Sequence, residues 1–251
     1  MATKQPVLIV TGGSQGIGAE IARLAASRGY AVCLSYGHAA EPAQALVGEI
    51  EAAGGRAIAV KADAGNEDDV VRLFRQAESA LGPISALVNN AGITGPFATV
   101  DRITSEIIDE VMGVNVRGVF LATREAVLRM ATDLGGAGGA IVNVSSRASG
   151  LGGAGEWVHY AASKGAVDTL TLGAARELAP RGIRVNAVNP GLIDTPLHAK
   201  AGAPDRVVRL SAGVPLGRPG TAAEVATVVL WLLSDEASYV TGALLPVSGG
   251  R

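Results

Sequence analysis

The stretch VLIVTGGSQGIGAEIARLA, residues 7–25, decides the fold. An apolar, β-branched run (7–11) reads as a strand, a glycine turn follows, and apolar residues then recur at helical spacing (17–28). Gly12, Gly16 and Gly18 permit a tight turn with bare backbone, close enough for a pyrophosphate to approach. The helix that follows would offer the same anion its free N–H groups and the positive end of its dipole. Three residues, Gly13, Ser14 and Gln15, separate the first two glycines where the general G-x-G-x-x-G fingerprint has one. A bare glycine turn needs no ligand, but a strand before it and a helix after it give the context a dinucleotide loop requires, with Ser14, Gln15 and Ile17 in the loop.

The pattern repeats along the chain. Candidate strands fall at 31–35, 56–61, 85–89, 140–145, 183–188 and 243–247, alternating with helical stretches at 42–54, 67–81, 104–131, 157–179 and 222–234. The strands are almost continuously apolar, as expected of a parallel sheet covered on both faces. Right-handed βαβ crossovers then give a Rossmann-type, doubly wound α/β sheet of about seven strands with helices on both sides. No linker divides the chain, so one domain spanning 1–251 is expected; the glycine cluster at 134–140 reads as a loop, since the alternation resumes at once. The stretch 195–220, with four prolines, is the one long irregular segment, and a substrate lid is expected near 192–215.

Composition narrows the function. Of 251 residues 48% are hydrophobic and 18% charged, the net charge is −2, and no basic block marks a nucleic-acid partner. A single cysteine, Cys33, excludes an intrachain disulfide and fits a reducing, cytoplasmic setting. Three scattered histidines make no metal site. The run PVLIV is too short for a signal-peptide core, and VATVVLWLL at 225–233 is too short to cross a bilayer.

Later strands end in polar or glycine residues: Asp63–Ala64, Asn89–Asn90–Ala91–Gly92, Ser145–Ser146 and Asn189–Pro190–Gly191. Each alone could be turn chemistry, but ligands of parallel sheets bind beyond the carboxyl ends of the strands. All four should therefore converge on one cleft. The segment HYAASK places Tyr160 four residues before Lys164, on one face of a helix and amid small side chains.

Taken in order, TGGSQGIG, NNAG, NVSS, YAASK and NPG resemble the short-chain dehydrogenase/reductase family over nearly the whole chain. The resemblance implies an NAD(P)-dependent oxidoreductase that interconverts a secondary alcohol and a carbonyl. Tyr160 would pass a proton to or from the substrate oxygen, and Ser146 would donate a hydrogen bond to it. Lys164 would supply positive charge and hold the nicotinamide ribose. Asn115, a poor choice for a helix interior, would hold a water linking Lys164 to solvent. Asp63, beside Ala64, would hold the adenine. Asn90, Ala91 and Gly92 would line its ribose. After Pro190 and Gly191, Ile193 and Thr195 would hold the carboxamide. A free phenol titrates roughly three units too high for a base at neutral pH, so about 4 kcal/mol of preference for phenolate is needed. Lys164 is the expected source. Ser146 precedes Tyr160 by fourteen residues, one more than the common family spacing, which lengthens the loop between them.

Cofactor preference turns on the end of the second strand, LSYGH, where an NAD enzyme typically carries an acid. Tyr36 stands there, and Gln15 occupies the loop position of the basic residue common in NADP enzymes. Ser14, Ser35 and His38 remain as donors, and NADP(H) is favoured over NAD(H). Glu156, Trp157, His159, Leu192, Leu197 and His198 are candidates to line the substrate pocket. Arg129 and Arg181 resemble in position the residues with which carrier-linked 3-oxoacyl reductases grip their acidic carrier protein, a narrower reading of the same chemistry. A dinucleotide-binding sensor that has lost the chemistry is the reading from another class; the intact Ser146, Tyr160, Lys164 and Asn115 speak against it. A homotetramer is expected, with no membrane partner.

Overall fold

The sheet has seven strands: β1 (Val7–Val10), β2 (Ala31–Tyr36), β3 (Arg56–Lys61), β4 (Ile84–Asn89), β5 (Gly139–Val144), β6 (Ile183–Pro190) and β9 (Leu244–Val247). They pair, all in parallel, in the order β3-β2-β1-β4-β5-β6-β9. The computed structural model describes residues 5–251, apart from the side chains of His198 and Lys200. The continuous apolar strands are explained by the two cores they feed. Leu8 and Val10 point into one hydrophobic cluster while Val7 and Ile9 point into the other. In β2, Val32 and Leu34 likewise oppose Ala31 and Cys33. Full burial of such side chains is worth about 1.5–3 kcal/mol each. Cys33 is plain packing, its thiol pushed up to about 12 by burial.

One face is covered by α1 (Gly16–Ser27), α2 (Ala40–Ala52) and α10 (Ala222–Leu233), the other by α3 (Glu67–Leu81), α5 (Gly118–Met130) and α7 (Val158–Leu178). Helix α10 begins in a capping box between Thr221 and Glu224. Two expectations need correction. The helix predicted over 104–131 is interrupted: α4 (Ser105–Met112) passes into a π-helical turn, Gly113–Arg117, before α5. Asn115, in that turn, is fully buried, and its bonds to a neighbouring loop, given below, explain why the regular ladder yields there. The stretch 195–220 is also less irregular than its prolines suggest. It carries α8 (Pro196–Lys200) and α9 (Arg206–Ser211), and its two ends are tied together by the short strands β7 (Ile193–Asp194) and β8 (Gly220–Thr221). A further single turn, α6 (Ala148–Leu151), lies in the loop before α7. No helix among the described residues is long and apolar enough to cross a membrane.

Candidate active site

A cleft of 1660 Å³ runs along the carboxyl ends of the strands. Pockets for one small ligand are about 300–1,000 Å³, so this cleft has room for a dinucleotide and a substrate together. Its lining includes Gly12, Ser14, Gln15, Gly16, Ile17, Tyr36, His38, Asp63, Ala64, Asn90, Ala91 and Gly92, then Ser146, Tyr160, Lys164, Pro190, Gly191, Ile193 and Thr195. The strand-end motifs therefore do meet.

The β1–α1 turn is built to keep side chains out. Gly12 and Gly16 take left-handed φ values of 62° and 55°. A Cβ on Gly18 would stand 2.5 Å from both the Asn90 amide nitrogen and the Gly12 carbonyl oxygen. Gly18 does not line the cleft; it lets α1 lie against the turn. Asn90 then donates to the carbonyls of Thr11 and Gly12, at 3.0 and 2.9 Å, and locks the loop. The first turn of α1 has no acidic residue, unlike those of α3, α4 and α10. The positive end of its dipole is left for an external anion, so this cradle fits the pyrophosphate of a dinucleotide. At the far end Asp63 accepts from Gly65 N at 2.9 Å, which fixes its carboxylate beside the cleft.

The reaction end is built from side chains. Helix α7 begins at Val158, and its first turns place Tyr160 and Lys164 on the cleft with the ammonium 5.8 Å from the phenol ring centroid. Lys164 is buried and donates to the Val144 carbonyl at 2.8 Å. Burial pulls it down to about 8, although Asp168, one turn further on, pulls the other way. Burial likewise pushes the Tyr160 hydroxyl above its ordinary value. A hydrogen bond with Ser146 and the charge of Arg206 pull it back. Arg206, which belongs to none of the sequence motifs, thus joins Lys164, 5.8 Å from the ring centroid, as a cation near the phenol.

The serines separate cleanly. Ser146 lines the cleft with Tyr160 and its Oγ accepts from Ala148 N at 3.1 Å, whereas Ser145 donates to the Lys164 carbonyl at 3.2 Å and Ser149 to the Ser146 carbonyl at 2.8 Å. The loop between Ser146 and Tyr160 is built from α6 and from Gly152, Gly153 and Gly155, all at positive φ. Asn115 does not line the cleft. Its Oδ1 accepts from Ile93 N at 2.8 Å, and its amide donates to Ile93 O at 2.8 Å and to Ser163 Oγ at 2.9 Å. It thereby clamps the loop after β4 against α7.

Beyond Tyr160 the expected substrate pocket is lined by Glu156, Trp157, Leu192 and Leu197, together with Phe97 and Arg206. Phe97 stacks on Trp157 at 4.3 Å, and Trp157 meets Tyr160 edge-on at 6.5 Å. His159 does not join them. It is buried with Nε2 on the Thr94 carbonyl, and serves packing. His198 lies outside the described side chains. Nor do the carrier-type cations stand free: Arg129 pairs with Glu125 and Glu78, and Arg181 with Asp133. Among the described residues no group of three or more His, Cys, Asp or Glu could hold a metal.

Comparison with known proteins agrees with this fold. The family model described as enoyl-(acyl carrier protein) reductase matches residues 12–251. The uncharacterized oxidoreductase YgfF of Escherichia coli (strain K12) is 51% identical, the match covering 98% of this chain and 99% of that protein. The structure of a blue fluorescent protein from a metagenomic library, in complex with NADPH, superposes with a TM-score of 0.88 at 38% identity, covering 98% of this chain and 97% of the other. The 3-ketoacyl-(acyl-carrier-protein) reductase of Brucella melitensis, complexed with NADH, gives 0.90 at 34% identity, with 98% of each chain covered. A sheet wound in this order, a glycine cradle for pyrophosphate and relatives matched end to end admit one conclusion: the chain belongs to the short-chain dehydrogenase/reductase family and is an NAD(P)-dependent oxidoreductase.

Proposed function

We propose that the protein interconverts a secondary alcohol and a carbonyl, with Tyr160 as general acid–base. The observation that carries this is that Ser146, Tyr160 and Lys164 line one pocket continuous with the dinucleotide cradle, with the Lys164 ammonium 5.8 Å from the Tyr160 ring centroid. The dinucleotide, when bound, supplies or receives the hydride. In the reducing direction the Ser146 hydroxyl donates to the carbonyl oxygen and orients it. Tyr160 passes its proton to that oxygen as negative charge develops there. Lys164 holds the nicotinamide ribose and keeps positive charge behind the ring. A proton must then return to Tyr160 from solvent. Gly92 keeps that side of the lysine uncrowded: a Cβ there would lie only 3.3 Å from Asn115 Oδ1 and 3.4 Å from Lys164 Nζ.

NADP(H) is the preferred cofactor in this reading. Tyr36 ends β2 without an acid, and Lys61, its partner across β2 and β3, lines the same part of the cleft with a positive charge. The protein is a cytoplasmic homotetramer. The support is apolar surface on the outer helices (Ile108, Phe120, Leu128 and Leu172, each 39–54% exposed) and the open edge at β9. A monomer by light scattering at micromolar concentration would refute that assembly.

The activity is tested by assaying purified protein with NADPH and NADH against ketones, oxo acids, sugars, polyols and acyl thioesters. Turnover of a carbonyl with NADPH is expected. Cofactor binding without turnover on any member would instead support a sensor.

A further inference from the structure

The loop before α7 and the lid meet over the substrate pocket at three side chains. Arg206, at the start of α9, pairs with the carboxylate of Glu156 and lies flat on the Trp157 ring, its guanidinium carbon 4.7 Å from the centroid. Its side chain is 12% exposed, and Trp157 is 6% exposed. Yet the Nε–H of Arg206 and the indole N–H of Trp157 are both buried with no hydrogen-bond partner among the described residues. A buried donor without an acceptor costs free energy that folding does not recover. Two of them sit on adjacent side chains of residues that line the cleft beside Tyr160; neither donor is open to solvent as the side chains lie, so an outside acceptor meets them only as Arg206 seats on Trp157.

Charge says what kind. Away from the adenine end the cleft is lined by Arg147, Lys164, Arg206 and Arg251 against Glu110 and Glu156. Positive charge is in excess, and a guanidinium with a free N–H beside an aromatic donor suits a planar oxyanion. We propose that Arg206 and Trp157 are the specificity-determining pair of the site and bind a carboxylate on the substrate, close to the reacting carbonyl. The substrate class is then an oxo acid and its hydroxy acid, with an apolar or aromatic body against Phe97 and Trp157. This rests on the carbonyl-reductase reading above and narrows it. The lid acquires a role as well, because seating Arg206 brings both the carboxylate-binding donor and the cation that opposes the burial effect on Tyr160.

A plain latch between lid and loop would use the same Arg206–Glu156 pair, so the test must separate the two. The cofactor-loaded protein is titrated by calorimetry with phenylglyoxylate and with its methyl ester, which share the ring and ketone and differ in charge. Turnover of both is followed alongside. Wild type is expected to bind the acid more tightly than the ester. R206Q should weaken the acid by about tenfold to hundredfold, the worth of hydrogen bonds to a charged group, and leave the ester little changed. R206K should restore part of that loss, and W157F should show a smaller loss of the same selectivity. E156Q carries the opposite sign: freed of its counter-ion, Arg206 should bind the acid more tightly, a gain that a latch cannot produce. Equal binding of acid and ester by wild type, or equal loss of both in R206Q and E156Q, would overturn the proposal. Selective binding of the acid without turnover would uphold the recognition and refute the reductase reading instead.

Discussion

The two ends of the cleft are made of different material. The dinucleotide end is backbone: glycines at 12, 16 and 18, the open N-terminus of α1, and an asparagine amide that grips two carbonyls. The other end is side chain: an aromatic stack, a buried lysine, a tyrosine and the arginine of α9. Backbone can present N–H groups to any pyrophosphate and so fixes a cofactor class. Side chains carry the pKa values and shapes that fix a reaction and a substrate. Tyr160 and Lys164 sit where the two meet.

If the ends have separate roles, substitutions should separate them too. The largest effect is expected for Tyr160→Phe, which removes one hydroxyl and almost no volume. Turnover should fall ~10²–10⁴-fold, the usual cost of losing a general acid–base, and a near-normal rate would place the chemistry elsewhere. Next comes Gly18→Ala at the other end. Its Cβ would enter a space 2.5 Å from the Asn90 amide and the Gly12 carbonyl, an overpacking worth about 1–3 kcal/mol. Weaker NADPH binding and a lower Tm are expected, with the rate at saturating cofactor preserved; unaltered binding would show that the turn is not the cradle. Smaller still is Tyr36→Asp, where an acid would repel a 2′-phosphate and hold a 2′-hydroxyl. Fluorescence titration should show the order of NADPH and NADH affinities reversed, and a wild-type preference for NADH would show that the missing acid is not decisive.

The smallest effect concerns the boundary itself. Lys164 titrates near 8 in the fold, against 10.5 as its ordinary value. Between those pH values the unfolded chain binds more protons than the folded one, so this group makes stability rise with pH there; below both or above both it adds no slope. Denaturant unfolding of wild type and Lys164→Met from pH 7.5 to 10 should show a shallower rise in the variant. Parallel curves would mean that burial does not shift the lysine.

The backbone end is the more legible in sequence for the same physical reason. Left-handed turns and close approaches admit little but glycine, so Gly12, Gly16 and Gly18 announce their geometry at fixed spacing, and two-sided burial writes each strand as an apolar run. Tyr160 and Lys164 are legible because one helical turn relates them. Ser146 is harder, since it precedes Tyr160 by one residue more than the common spacing and Ser145 and Ser149 stand close by; in the fold those two hydroxyls are spent on backbone carbonyls. Asn115 reads as misplaced in a helix, but nothing local predicts a π turn whose cause is a bond to Ile93 across the sheet end. Arg206 is invisible to any local reading. One arginine in a proline-containing stretch acquires meaning only when the fold lays it 4.7 Å from the ring of Trp157, far earlier in the chain. His159 misleads in the opposite sense: beside Tyr160 in sequence, it turns into the core.

The division of labour is tested most directly by the affinity of Tyr160→Phe for NADPH, titrated by fluorescence beside wild type on the same preparation used for turnover. The account predicts unchanged cofactor affinity with turnover all but lost, because the hydroxyl serves the substrate oxygen and the cradle lies elsewhere. Loss of NADPH affinity in step with turnover would contradict it, and would mean that the two ends of the cleft are one site.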